Sequence, residues 1–242
     1  GKGFEFAIEA GHSLVHPLPA LVPLVLQDNF FHSDLSGLSH PAELSVWVEN
    51  KRVEKRMGSM LWTHFGISGP VAMDISGTWI RSHYHGKNPQ LQVNLLGEIT
   101  FQQAETWFLD ATRAHHAKSV GNMLGEKLPK PLVRVLGNFL HLDIGQTLGT
   151  LTKQTRRQWL RALVELPLPV YQHRGWNSAE VTSGGIPLKE IKPRTFESKF
   201  QPGLFLVGEI LDCDGRIGGF NFQWAWSTGY LAANGLVEAC EH

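Results

Sequence analysis

One stretch near the C-terminus groups residue types that could hold a reactive ligand. It runs Gly203-Leu204-Phe205-Leu206-Val207-Gly208-Glu209, then Leu211-Asp212-Cys213-Asp214-Gly215, then Gly218-Gly219-Phe220-Asn221 opening into Gln223-Trp224-Ala225-Trp226. The apolar run predicts a buried strand ending in the Glu209 carboxylate. The glycines that follow predict a loop whose backbone can approach a ligand closely, and the segment from Asn221 predicts a helix start. Free N–H groups and the partial positive charge of a helix N-terminus suit an electron-rich or anionic group, and a strand-end carboxylate suits a hydroxylated one. The layout is that of a cofactor cradle.

Other reactive side chains carry weaker signals. His64, in Thr63-His64-Phe65-Gly66, is the candidate for proton transfer, because imidazole can donate or accept near neutral pH; a structural hydrogen bond is the alternative reading. His115-His116 and the His83/His85 pair lack acid or cysteine companions at ligand spacing, so no metal site is expected. Cys213 sits in the glycine-rich loop with no second cysteine two residues away, and Cys240 is distant, so a dithiol centre and a disulfide framework are both disfavoured. Trp224 and Trp226 read as core or cofactor-shelf residues.

The motif Gly208-Glu209-x-Leu211-Asp212-x-Asp214-Gly215-x-x-Gly218-Gly219-Phe220-Asn221-x-Gln223-Trp224-Ala225 resembles the C-terminal flavin motif of a bacterial family of NAD(P)/FAD-dependent oxidoreductases that includes aminoacetone oxidase. Thr63 to Pro70 is similar to that family's middle-domain motif, and Val181-Thr182-Ser183-Gly184-Gly185-Ile186 with Lys189-Glu190-Ile191 to the segment before its flavin strand. Order and spacing match along the whole chain. The resemblance implies FAD as cofactor, with Gly208 and Glu209 at the ribityl chain. Gly218, Gly219, Phe220, Asn221 and Gln223 would line the ring edge, Thr182, Gly184 and Gly185 its other side, and Asp214 would be a further cofactor-binding residue. It further implies a small organic substrate, for instance an amine, and a nicotinamide, NAD(P)H, as a possible redox partner.

Members of this family begin with a dinucleotide-binding βαβ unit whose G-x-G-x-x-G turn holds the FAD pyrophosphate, and no such turn follows a strand here. The expectation is therefore the C-terminal portion of a flavoprotein, inactive alone, whose dinucleotide-binding half is supplied in cis or in trans. A non-catalytic binding or assembly module, or one half of a split enzyme, are the rival readings.

At 242 residues with 42% apolar and 18% charged residues, the chain is in the globular range. Its 22 basic and 22 acidic residues cancel, which argues against nucleic acid or an anionic membrane as partner. The local run Lys51-Arg52-Val53-Glu54-Lys55-Arg56 reads as a solvated hairpin or strand edge. With neither a signal peptide nor a long apolar segment, a cytoplasmic location is the expectation.

Periodicity divides the chain further. Strand-like runs at 20–26, 43–49, 58–62 and 91–96 suggest a small antiparallel sheet or barrel. A helix is expected from Pro70, capped by Ser68, and another over Phe4–His12 ending at a glycine. From Thr100 to Leu166 the period turns helical, with Thr152 and Thr155 as caps. The fold class is thus a mixture of α and β. A partial FAD-binding domain (1–20 and 168–242) would carry an inserted β-rich, barrel-like domain (21–99) and a small helical subdomain (100–167).

Overall fold

The computed structural model describes residues 1–240, which form two compact units, one made of residues 1–22 and 175–240 and the other of 23–174. The architecture is mixed α/β.

In the larger unit, a seven-stranded antiparallel sheet has the order β7-β6-β3-β4-β5-β2-β8. Its strands are β2 (Leu24–Leu26), β3 (Ser39–Val48), β4 (Lys51–Thr63), β5 (Gly66–Ser68), β6 (Gln90–Asn94), β7 (Leu166–Leu168) and β8 (Val170–His173). The two edge strands, β7 and β8, are separated in sequence by Pro169 alone, so the sheet must curl until its edges approach. That is how a barrel disposes of exposed edges. Proline suits the crossing point because it has no N–H to contribute to either ladder. Leu24, Leu26, Leu44, Met60, Trp62, Ile67, Ile75 and Leu91 are all fully buried in this unit.

Helix α2 (Pro70–Tyr84) packs on the sheet, with Val71 Cβ 3.3 Å from where a Cβ on Gly58 would stand. Its N-cap is Gly69, without a side-chain cap bond, and Ser68 belongs to β5. The expected serine cap is corrected for that reason: Ser68 is committed to the ladder opposite Leu61. The expected strand 20–26 is corrected as well. Leu21 adopts φ 46° and the run breaks there, so its first residues join a different sheet from its last.

The helical part comprises α3 (Phe101–Ala114), α4 (Val120–Leu124), α5 (Lys130–Leu140) and α6 (Lys153–Val164). Ala104 and Phe108, Leu132 and Leu136, and Trp159, Leu160 and Leu163 recur at helical spacing within their helices and are buried. Thr152 Oγ1 accepts from the Thr155 amide at 3.1 Å, so Thr152 is the cap and Thr155 the residue it caps. At α3 the Thr100 hydroxyl accepts from the Gln103 amide at 3.2 Å while Gln103 Oε1 accepts from the Thr100 amide at 2.8 Å. This reciprocal box satisfies two orphan donors. Thr100→Ala is expected to lower stability by about 1 kcal/mol in urea unfolding. No change would remove the box as a determinant of where α3 starts.

The smaller unit contains α1 (Lys2–Glu9), β1 (Val15–Ala20), β9 (Val181–Gly185) and α7 (Phe220–Cys240), with β1 and β9 antiparallel. Ala7, Ile186, Ile191, Phe196, Leu206, Leu211 and Ala232 form its core. Residues 204–207 do not form the expected strand. Pairing is confined to residues 196–198: a bridge from Phe205 to Glu197, Leu206 N–H donating to Phe196 O at 3.0 Å, and Ser198 N–H donating to Leu204 O at 2.7 Å. An apolar run becomes a strand only when a neighbour presents a continuous ladder, and these three residues do not.

Candidate functional site

The smaller unit brings most of the candidate residues into one hydrogen-bonded set. β9 ends at Gly185 and its continuation runs beside the segment after the Gly208–Ile210 turn: Ile186 N–H donates to Ile210 O at 2.9 Å, and Asp212 N–H to Ile186 O at 2.8 Å. The approach is so close that a Cβ on Gly185 would stand 2.5 Å from Ile210 O, at a φ of +136°. Gly184 lies against the irregular part of the β1–β9 ladder, where a Cβ would meet His16 O at 2.6 Å. Both glycines are therefore needed by the packing itself.

Two carboxylates join these strands. Thr182 N–H donates to Glu209 Oε1 at 2.6 Å, and Ser183 Oγ donates to Asp214 Oδ1 at 2.9 Å. Glu209 is exposed, so its carboxylate is oriented by a backbone amide while still open to solvent. Gly208 is held from the helix side: its N–H donates to Thr228 Oγ1 at 2.9 Å, and Trp224 Nε1 donates to its carbonyl at 3.1 Å. Trp224 also meets Phe196 edge-on at 5.7 Å, as a packed residue should, whereas Trp226 is 78% exposed and has no core role in this unit.

Asn221 closes the loop onto the start of α7. Its Oδ1 accepts from Gly215 N–H at 2.7 Å and its Nδ2 donates to Gly215 O at 3.0 Å. Its polar atoms thus hold loop shape. Gly218 and Gly219 have φ of +120° and +88° and are exposed, and a Cβ on Gly219 would have no atom within 4 Å. Phe220 is 60% exposed, and exposed Gln223 donates from Nε2 to Ser227 Oγ at 2.9 Å. These four are exposed, and of them Gly219 alone has open space about its Cβ position, since a Cβ on Gly218 would meet the Phe220 ring at 3.5 Å.

His64 is not part of this set. It lies in the larger unit, exposed on the turn between β4 and β5, edge-on to Phe65 at 5.1 Å. Burial, with the Asp214 and Asp212 carboxylates next to it, pushes the Cys213 thiol up, so it is protonated at neutral pH and a poor nucleophile. The side chain of Cys240 lies outside the described residues. Among the described residues, no group of three or more His, Cys, Asp or Glu could hold a metal ion, and no helix is long and apolar enough to cross a membrane.

One cluster escaped the sequence reading. His12, buried, places Nδ1 3.0 Å from Glu190 Oε2 and Nε2 2.7 Å from Ser198 Oγ. Glu190 also accepts from the Ser13 amide at 3.0 Å and from the Ser13 hydroxyl. The chain order superficially suits a nucleophile, base and acid. However, Ser198 Oγ already accepts from the amides of Phe200 and Gln201, at 3.0 and 2.9 Å, and Ser198 is buried, so it has no lone pair directed at a substrate. The cluster pins the chain after α1 to the 190–198 loop. Glu190 falls in the Lys189-Glu190-Ile191 motif, but no sequence signal links it to His12, 178 residues away.

The family described as an HI0933-like protein barrel and H2TH domain matches residues 18–181. The chain is 30% identical over 238 residues to a protein of Clostridium scindens named 3-dehydro-bile acid delta(4,6)-reductase, a match covering 98% of this chain and 58% of that protein. It is 30% identical over 240 residues to the ribosomal RNA dihydrouridine synthase of Escherichia coli, covering 98% of this chain and 56% of that protein. A protein of the same name from Haemophilus influenzae is 29% identical over 234 residues, covering 96% and 54%. The chain thus spans somewhat more than half the length of these relatives. The barrel and helices described above occupy most of the matched residues, and the chain belongs to the HI0933-like family.

Proposed function

We propose that this chain contributes part of the flavin site, and the substrate-side barrel and helices, of an FAD-dependent oxidoreductase that adds hydrogen across a carbon–carbon double bond. The observation that carries the reading is the oriented, solvent-open Glu209, on a turn whose Gly208 is held by Trp224 and Thr228 of α7, together with the exposed Gly218–Gly219 backbone that leads into that helix. Glu209 uses Oε1 on Thr182 N–H, and Oε2 suits a ribityl hydroxyl. The Gly218–Gly219 backbone leaves room for a flat ring to approach, and Asn221 fixes the loop that carries it. Flavin, when bound, supplies two-electron transfer. The residues of this chain hold and orient it, and NAD(P)H is the proposed electron source.

The relatives' names support reduction rather than amine oxidation. One names the reduction of a bile acid. The other two name the formation of dihydrouridine, which is uridine with hydrogen added across its ring double bond. A small amine as donor, expected from the sequence, finds no such support. In this reading the exposed aromatic residues of α7, Phe222, Trp226 and Tyr230, at 76, 78 and 68% exposure, are covered by the dinucleotide-binding half, in cis or in trans.

The test is flavin content. Protein expressed with its flanking reading frame should purify yellow with one FAD per chain, and Glu209→Ala should weaken FAD binding by about 1.5–3 kcal/mol, the range for a hydrogen bond to a charged group. A colourless protein that takes up no FAD would refute the reading. An unchanged dissociation constant in the variant would remove Glu209 from the site.

A further inference from the structure

The helical part of the larger unit carries charge that the chain's totals conceal. Residues 101–164 hold nine Lys and Arg against four Asp and Glu, in a chain with 22 of each. Three of those acids are already engaged: Asp110 with Arg113, Glu126 with Lys118, and Asp143 accepting from Gly145 N–H at 2.7 Å. Lys130, Arg134, Lys153, Arg157 and Arg161 are exposed, and among the described residues none of them is in an ion pair.

These five cations fall in two places. Lys153, Arg157 and Arg161 follow one another at intervals of four on α6, one turn apart at about 6 Å each, and share a shallow groove of about 530 Å³ with Gln154 and Gln158. Their helix has no acid, and its opposite face is the buried Trp159, Leu160 and Leu163. Lys130 and Arg134, also four apart, line a cleft of about 430 Å³ between α4 and α5 together with Ser119, Asn122 and Ile144. Asp143 borders it through its bond to Gly145.

By contrast, the basic run visible in the sequence is neutralised in part, at Lys55 and Arg56. Lys55 bonds Glu43 at 2.9 Å, Arg56 pairs with Glu54 and with Asp74 at 3.1 Å, and Arg52 lies over the Trp47 ring at 5.9 Å. Charges are screened beyond about 8 Å at physiological salt, so distant acids do not cancel these cations, and the nearest acid in sequence to the α6 stripe is exposed Glu165, four residues past Arg161 at the end of the helix.

We infer that the α4–α5 cleft and the α6 stripe each bind the phosphate backbone of RNA. The inference rests on the reductase reading above and names its substrate class, a base within an RNA strand. Cations four residues apart on a straight helix face meet successive phosphates rather than a compact anion, and the Gln154 and Gln158 amides can bond the 2′-hydroxyls that DNA lacks. The expectation of no nucleic-acid partner rests on net charge, which averages over a surface on which the charges are segregated.

The test uses the full chain with a fluorescein-labelled 20-nucleotide RNA hairpin, titrated by anisotropy between 50 and 200 mM KCl. Binding should weaken with salt. The triple variant K153Q/R157Q/R161Q should bind at least tenfold more weakly at 100 mM and lose about two to three units of the log–log salt slope, and K130Q/R134Q should lose one to two. All five side chains are exposed, and circular dichroism checks that the variants fold. Failure of the parent to bind the hairpin at 50 mM salt, variants that bind like the parent, equal affinity for a DNA duplex of the same length, or preference for phosphatidylserine vesicles would each overturn the inference. A colourless flanked protein that still binds RNA would sink the flavin reading alone, and a yellow one that ignores RNA would sink only this one.

Discussion

Gly185→Ala is expected to unravel the junction between β9 and the Gly208–Ile210 turn. The added methyl would stand 2.5 Å from Ile210 O and 2.9 Å from the Leu211 carbonyl carbon, both rigid backbone atoms, at a φ of +136° that alanine disfavours. Backbone strain of about 1–3 kcal/mol combines with overpacking of about 1–3 kcal/mol, a loss of several kcal/mol in the smaller unit. Hydrogen exchange reads it locally: peptides spanning 181–186 and 208–212 should lose protection, while those spanning 39–63 in the larger unit keep theirs. Gly229→Ala is the matched control, since that glycine is helical with nothing within 4 Å of its Cβ position, and alanine there should be neutral or stabilising by up to about 1 kcal/mol. Equal protection in Gly185→Ala and the parent would show that the strand and turn can separate without cost.

The second large effect belongs to Glu190. Removing its carboxylate strands His12 Nδ1, the Ser13 amide and the Ser13 hydroxyl inside the smaller unit, and each buried donor left without a partner costs about 1–3 kcal/mol. Glu190→Ala should therefore lower the melting temperature of the smaller unit by far more than Thr100→Ala lowers that of the larger one. The same cluster makes stability depend on pH. Burial pushes the Glu190 carboxyl up, but the hydrogen bonds from the Ser13 hydroxyl and amide and from His12 outweigh it and hold it below the usual carboxylate range. A carboxyl depressed in the folded state binds protons more readily when unfolded. Its contribution is then complete above the unfolded value, near 4.3, and lost as pH falls through the lower folded one. Glu197, held down by Lys192 and the Gly203 amide, acts in the same direction. Melting curves from pH 6 to 3 should fall more steeply for the parent than for Glu190→Gln. Parallel curves would show that Glu190 carries none of the acid sensitivity.

The order of strands, helices and glycine loops was legible in the residues where local chemistry decides. Thr100 with Gln103, and Thr152 before Thr155, announce helix starts because the capping bonds span only three residues. The turn after Glu209 and the helix from Phe220 were marked by glycines whose conformations no distant partner needs to select. Where a backbone group had two possible partners, local reading misassigned it: Ser68 went to the ladder instead of the cap, and residues 204–207 stayed outside a sheet.

By itself, then, the sequence determined the alternation of elements, the helical character of residues 101–164 and the identity of the glycine and carboxylate residues near 182–185 and 208–221. Tertiary structure alone decided which of them meet. The pairing of β1 with β9, of β7 with β6 and of β8 with β2, the His12–Glu190–Ser198 cluster, and the pairing of Arg56 with Asp74 all join residues far apart in the chain. Capping and turn preferences act over a few residues and are written in adjacent letters. Ladder register, burial and ion pairing depend on where the chain returns, which is fixed only when the whole core packs.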